Sequence, residues 1–296
     1  MSLHVFANFV TPFGVAANNR AEAEGNIATL QKLLWMGETH TTVSAEAIRF
    51  ALRRRLAAAG RGGTNRTWDE AGRANAWADP GFGGWADPAG PTFIDDDLLG
   101  YMRADAAKDE GEAGSATVRR GVLEVTRAVS VTPWAGDVTF NAASPGAAPA
   151  AAGKPARHPV PYGTEVHATR YQYGVALTPA RLRDPARAAV ALDALCALGP
   201  VAGNHGRFLF DFSPDAVVFR VTADPAPRLL YCFESGDHGR TVVAPRLADR
   251  VRAGDVDPAE LIVAGVAVAG AAVAPGVKAA CAAVAHRLAA ALAAEG

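Results

Sequence analysis

The chain has 296 residues, half of them apolar, enough for one large domain or two ordinary ones. Its net charge of −1 excludes a global basic field, so any surface for a polyanion must be local. The three cysteines, Cys196, Cys232 and Cys281, are far apart in sequence and form neither a metal-type pair nor a disulfide framework, which makes a reducing cytoplasm the expected compartment. Arginine far outnumbers lysine and alanine is abundant, a composition typical of GC-rich coding that weakens arguments from arginine number alone.

Leu3–Val10 predicts a first, central strand and lacks the cationic start and apolar run of a signal peptide. A turn-rich loop follows. Its Asn18-Asn19-Arg20 offers amide and guanidinium donors for phosphate or 2′-hydroxyl groups, although Asn-Asn also simply marks turns. Asn26–Trp35, which includes Lys32, fits a strand or a short helix. Thr42–Leu56 predicts an amphipathic helix with Ser44 capping its first turn. Ile48, Leu52 and Leu56 share one face. Arg49 and Arg53 share another, Arg54 widens it, and Arg55 falls nearest the apolar side. Like charges at that spacing cost a few tenths of a kcal/mol, roughly, so an anion such as phosphate suits this face. A solvated helix surface is the plainer reading.

From Gly60 to Pro91 the composition changes. Trp68, Trp77, Phe82 and Trp85 among glycines, prolines and aspartates predict an ordered insertion rather than a linker. In Asp95-Asp96-Asp97-Leu98-Leu99-Gly100-Tyr101-Met102, three carboxylates invite a metal reading. Consecutive helical side chains splay by about 100°, however, and converge poorly on one ion. Placement at a helix N-terminus is favoured instead. Ala104–Ala116 reads as an acidic loop. Val118–Val131, with Arg119 and Arg120 at its start, and Thr164–Val175 predict two strands pairing across the Ala/Pro/Gly-rich excursion Asn141–Pro161. Asp184-Pro185 predicts a helix start. Next come the basic loop Gly199–Arg207, a hairpin from Phe208 to Val221 and a strand at Leu229–Glu234. The apolar run Leu261–Val277, interrupted by Pro275, is too short for a membrane span and reads as a buried strand. An Ala-rich helix closes the chain from Gly276 to Ala294.

The order strand, helix, strand, strand, helix, strand predicts an α+β fold: a ferredoxin-like, RNA-recognition-motif core with a projecting thumb β-hairpin and a large insertion. One domain is expected, built from separated segments at about 1–59, 118–132 and 164–296, with the Trp/Gly-rich insertion at 60–100 and the thumb excursion at 101–163. Such sheets commonly bind single-stranded RNA. The aromatic RNP pattern is absent, so fold alone leaves function open.

Taken together, these residues resemble the DevR-like branch of the CRISPR backbone subunits. That branch belongs to the repeat-associated mysterious protein superfamily and builds a type I-B-like Cascade complex. The resemblance is carried by the first strand with Asn18-Asn19-Arg20, the Asn26–Lys32 segment, the Val43–Arg53 helix, the Asp-Leu-Leu-Gly-Tyr-Met stretch and Gly203-Asn204-His205-Gly206-Arg207. It covers most of the chain and is poorest at Gly60–Pro91 and Asn141–Pro161. It implies a subunit that polymerises with copies of itself along one CRISPR RNA and holds the RNA backbone in a basic groove. Sequence reading is left to pairing of the guide with a target DNA strand. Other Cascade subunits are implied as partners, with no membrane, cofactor or metal, and cutting by a separately recruited nuclease-helicase. The implied RNA contacts are Asn19, Arg20, Asn26, Lys32, Ser44, Arg49, Arg53, Arg54, Arg119, Arg120, Asn204, His205 and Arg207, with Met102 as an apolar wedge between bases. The branch also carries an association with bacterial development. A second reading is a metal-independent endoribonuclease of the same superfamily processing CRISPR transcripts, with His40, His167 or His205 as general base. A third is a metal-dependent hydrolase using Asp95, Asp96 and Asp97.

Overall fold

The structure is a computed structural model that describes residues 2–17, 23–105, 115–143, 160–201 and 209–295. Strand β1, His4–Val10, is the centre of the main sheet. Its side chains alternate between two cores, as period-two geometry requires. Val5, Ala7 and Phe9 join one, while Phe6 and Val10 join the other.

Before the first helix the chain forms β2 (Gly14–Ala17), β3 (Ala23–Glu24), β4 (Ile27–Ala28), β5 (Lys32–Trp35) and β6 (Glu38–Val43). Asn26–Trp35 thus resolves into strand rather than helix. Helix α1 runs Ala45–Ala59, so Thr42 and Val43 belong to the preceding strand. The insertion contributes a small hairpin, β7 (Arg66–Asp69) and β8 (Ala74–Trp77), then the short helix α2 (Ile94–Leu99). β9 (Gly100–Asp105) and β10 (Ser115–Arg120) form a two-stranded ribbon. β11 (Leu123–Val125) and β12 (Ala128–Ser130) return to the main sheet. β13 (Val138–Ala143) and β14 (Val160–Thr169) form a second ribbon, and β15 (Tyr171–Leu177) lies beside β1. The rest comprises α3 (Arg187–Cys196), β16 (Ala216–Thr222), β17 (Glu234–Gly236), β18 (Thr241–Val243), α4 (Pro245–Ala253), β19 (Leu261–Ala264), β20 (Ala272–Val273) and α5 (Val277–Glu295).

The fold is mixed α and β with several sheets. The largest has nine strands in the order β20-β19-β16-β1-β15-β12-β6-β5, with β11 also on β15. Helices α1, α3 and α5 cover one core, and α4 with Leu229 and Phe233 covers the other. Ile48, Leu52 and Leu56 of α1 are fully buried, each worth about 1.5–3 kcal/mol of hydrophobic stabilisation. By length and composition α5 could cross a membrane, yet it lays Ala280, Cys281, Val284 and Leu288 into the first core.

Several expectations are corrected. Val118–Val131 is three strands, because β10 pairs with β9 whereas β11 and β12 pair with β15. Thr164–Val175 breaks at Arg170, whose buried guanidinium holds the carbonyls of Thr11 and Gly239 and the Asp215 carboxylate. Instead of one hairpin, β9–β10 forms a sheet of its own, and β13–β14 joins β2, β3 and β4 in a five-stranded sheet. Asp184 caps a turn at Ala186, and the helix begins at Arg187. Leu209–Phe212 is not a strand, so β16 stands without the expected hairpin partner, and the expected strand at Leu229–Glu234 is turn and coil up to Phe233, with β17 starting only at Glu234.

Candidate nucleic-acid interface

Ser44 accepts from the Ala47 amide at 3.2 Å and starts α1 as the sequence reading requires. Arg49, Arg53 and Arg54 differ sharply in exposure. Arg53 is buried, its Nε donating to Asp95 at 3.1 Å. Arg49 is half-buried and donates to the Leu99 carbonyl. Arg54 is exposed, and so is Arg55, the arginine expected nearest the apolar side. The reason is tertiary: α2 and the insertion cover the Arg53 side of the helix, which helical spacing alone cannot reveal.

All three aspartates of α2 are buried, and they point to different partners. Asp95 accepts from Arg53, from the Asn65 amide at 2.7 Å and from the Arg66 amide at 3.1 Å. Asp97 accepts from Arg119 at 2.7 Å, Arg187 at 2.8 Å and the backbone amides of Arg183 and Asp184. Asp96 holds the Asn65 side-chain amide at 2.9 Å. Burial raises its carboxyl to about 6; the Asn65 bond pulls against this and neighbouring Asp95 adds to it. The triad thus acts as a hub that ties α1, the insertion, the first ribbon and α3 together. Among the described residues no cluster has metal-ligand geometry.

Gly100 ends α2 and begins β9 with φ +69°, and a Cβ there would lie 2.2 Å from the Arg119 carbonyl. Only glycine fits this close strand crossing. Beyond it the ribbon has two faces. Tyr101 and Arg119 are partners in register and face the insertion. Tyr101 stacks on Phe82 at 3.8 Å, and the Arg119 guanidinium lies 4.0 Å from the Trp85 ring. On the opposite face Met102 and Val118 pair, 69% and 64% exposed. Arg120 is exposed next to them and pairs with Glu124.

Asn26 and Lys32 lie elsewhere, against β14. Asn26 donates to the Pro161 carbonyl at 3.1 Å. Lys32 reaches Glu165 at 2.6 Å and covers the Trp134 ring at 4.3 Å. The second ribbon carries its own exposed apolar pair, Val138 and Phe140. At its root, His167 donates from Nε2 to the Pro133 carbonyl at 3.1 Å and accepts at Nδ1 from the Thr41 hydroxyl at 2.7 Å. Thr41 accepts in turn from Tyr171. Burial pushes His167 down to about 4. His40 is also buried, its Nδ1 bonded to the Ser130 carbonyl at 2.7 Å. Asn19, Arg20, Asn204, His205 and Arg207 lie outside the described residues.

The sequence reading missed Arg187, Arg183, Glu165 and Arg66 as members of these clusters. Composition could not single them out in an arginine-rich chain. The available signal was the acidic triplet, since three buried carboxylates require cationic or amide partners from elsewhere.

The architecture has counterparts among solved structures. Two solved structures share it: a CRISPR RNA-guided surveillance complex (TM-score 0.57, 16% identity, 97% of this chain and 99% of that one) and a surveillance complex in a pre-nicking state (TM-score 0.57, 14% identity, 97% and 100%). At those identities the likeness concerns fold alone. No protein-family model matches the chain. The CRISPR-associated protein Cas7/Cst2/DevR of Myxococcus xanthus (strain DK1622) is 64% identical over 271 residues, 91% of this chain and 89% of that protein. The chain therefore belongs to the Cas7/Cst2/DevR family of CRISPR-associated proteins.

Proposed function

We propose that the chain is a non-cutting backbone subunit that binds CRISPR RNA, assembles with copies of itself along the guide and supports pairing with a target DNA strand. It works in the cytoplasm, away from membranes, within a type I-B-like surveillance complex. The observation that carries this reading, beside family membership, is the first ribbon. An exposed apolar pair, Met102 and Val118, stands next to exposed Arg120 on a root fixed by buried ion pairs. A rigid arm with an apolar edge suits insertion between bases, and cations near its base suit the phosphates. The sheet supports the same reading: β16-β1-β15-β12, joined through α1 and α3, follows the strand order of a ferredoxin-like core. Because Arg53 is buried against Asp95, the exposed Arg54 is the stronger RNA contact of α1, and Arg120, exposed and sharing only the surface carboxylate of Glu124, adds a cation near the ribbon. Asn19, Arg20, Asn204, His205 and Arg207 remain part of the proposed groove.

The test is binding to a full-length repeat-containing guide RNA. Wild-type protein is expected to form oligomers whose size grows with RNA length, without cleaving the RNA. Arg54→Glu combined with Arg120→Glu should weaken binding by about tenfold or more and flatten the salt dependence. A protein that stays monomeric on the full guide at low salt overturns the proposal, as does site-specific cleavage without metal.

A further inference from the structure

On the solvent side of α1, Phe50 meets Trp68 of the insertion hairpin edge to face, ring centroids 6.5 Å apart and planes at 80°. Both rings remain more than a third exposed. Arg49 and Arg66 flank a cavity of about 380 Å³ beside them, with Asn75 on its rim. A second cavity of about 300 Å³ shares Phe50, Arg66, Trp68 and Asn75 and extends towards Arg54. The two make one groove between α1 and β7–β8, of a size that small-ligand sites use.

We propose that this groove binds unpaired nucleotides of a single strand, with bases on the Phe50–Trp68 platform and phosphates on Arg49 and Arg66. The proposal rests on the reading of the chain as an RNA-binding subunit and gives the Trp-rich insertion a part in it. Geometry and charge carry it. Half-exposed aromatic rings flanked by guanidinium groups are the combination that holds single strands without sequence preference, by stacking and charge. Arg49 and Arg66 stand together on this groove, whose acidic residues are Glu46 beside Arg49 and Glu70 in the second cavity, so a phosphate there meets two guanidinium groups. Burial depresses the Arg49 guanidinium; Glu46 works against this, and Arg66 adds a smaller depression. Arg53, though it touches both cavities, is held by Asp95 and is not assigned a contact.

Labelled 12-mers of oligouridylate and oligodeoxythymidylate, titrated by anisotropy, test this and separate RNA from DNA as the strand bound. Trp68→Ala and Arg66→Gln should each weaken the preferred 12-mer at least about fivefold, with Trp68→Phe restoring most of it. Arg66→Gln should also lower the salt slope by about one. Asn75→Asp, at an exposed position where folding tolerates the change, should weaken binding by added negative charge. Unchanged 12-mer affinity in all three weakening variants, while the wild type binds both 12-mer and guide, overturns the groove and leaves the broader reading standing. Failure of the wild type to bind either the 12-mers or the guide overturns both. Variants that alter oligomer size but leave 12-mer affinity unchanged overturn it in favour of a second copy as occupant. Loss of binding with Asn75→Asp, or rescue by Trp68→Phe, decides for the groove even if Trp68→Ala fails to fold.

Discussion

The β9–β10 ribbon leaves the molecule from a root of buried charge, whereas β13–β14 leaves from a root of hydroxyls, a neutral histidine and sheet pairing. Asp97 alone takes two guanidinium groups and two backbone amides at the first root. At the second, β14 is paired to β13, β2 and β4, and His167 completes a chain through Thr41 to Tyr171. Both arms expose apolar pairs, Met102 with Val118 and Val138 with Phe140. Charge fixes direction strongly but fails abruptly when one partner is lost, because the remaining ion is left desolvated. Backbone pairing is spread over many bonds and yields gradually. The first arm is therefore built to be stiff at its base, the second to be anchored along its length.

The largest effect that tests this contrast is Asp97→Ala. Arg119 and Arg187 would lose their shared carboxylate, and the Arg183 and Asp184 amides would lose their acceptor. We expect a loss of about 3–5 kcal/mol in urea denaturation, the range for breaking a buried ion pair on one side. Amide exchange should accelerate first in β9 and β10 and leave β13 and β14 protected. A loss below about 1 kcal/mol would mean that the aromatic stack of Phe82, Tyr101 and Trp85 holds the arm instead.

How far these roots could be read from sequence differs between them. The central strand, the Ser44 cap, the Ile48–Leu52–Leu56 stripe and the closing helix were legible because each depends on local periodicity or capping. The acidic triplet announced a special place, but its partners Arg53, Arg119 and Arg187 lie at sequence distances that no spacing rule connects. The burial of Arg53 and the exposure of Arg55 were hidden for the same reason: helical angle does not say what packs on the far side. The second root was not legible at all. Thr41 and Tyr171 look ordinary along the chain, and His167, read there only as a candidate general base, takes its place in this network only when β6, β14 and β15 come together. Splitting one expected hairpin into two ribbons followed from register, which turn-rich segments leave open.

A smaller effect addresses the second root through pH. His167 has a folded value of about 4, below its ordinary 6.5, chiefly because burial disfavours the imidazolium. Between these values the unfolded chain binds the proton more readily. Stability from this group is therefore complete above pH 6.5 and is lost as pH falls towards 4, by about 2–3 kcal/mol. His167→Gln keeps hydrogen-bonding capacity but does not titrate. It should cost about 1 kcal/mol at pH 7 and show a shallower decline on acidification. Parallel pH profiles for the two proteins would remove the neutral histidine from the account of this root.

The smallest effect carries the opposite sign and belongs to the first root. Asp95 and Asp97 each have guanidinium partners, whereas Asp96 has the Asn65 amide, and its carboxyl is raised to about 6. Here the folded state holds the proton more tightly than the unfolded chain, whose value is near 3.8. Stability is therefore greatest below about pH 4 and declines as pH rises through 6. Asp96→Asn removes that decline while its carbonyl oxygen still accepts from Asn65. The variant should match wild type near pH 4 and exceed it by about 1–2 kcal/mol at pH 8, measured from urea midpoints at both values. Rising pH would then act oppositely at the two roots, favouring the one built on His167 and loosening the one built on Asp96. A variant less stable than wild type at pH 8 would show that a cation compensates Asp96. The hub would then be fully paired, and the abruptness assigned to the first arm would have to come from Asp97 alone.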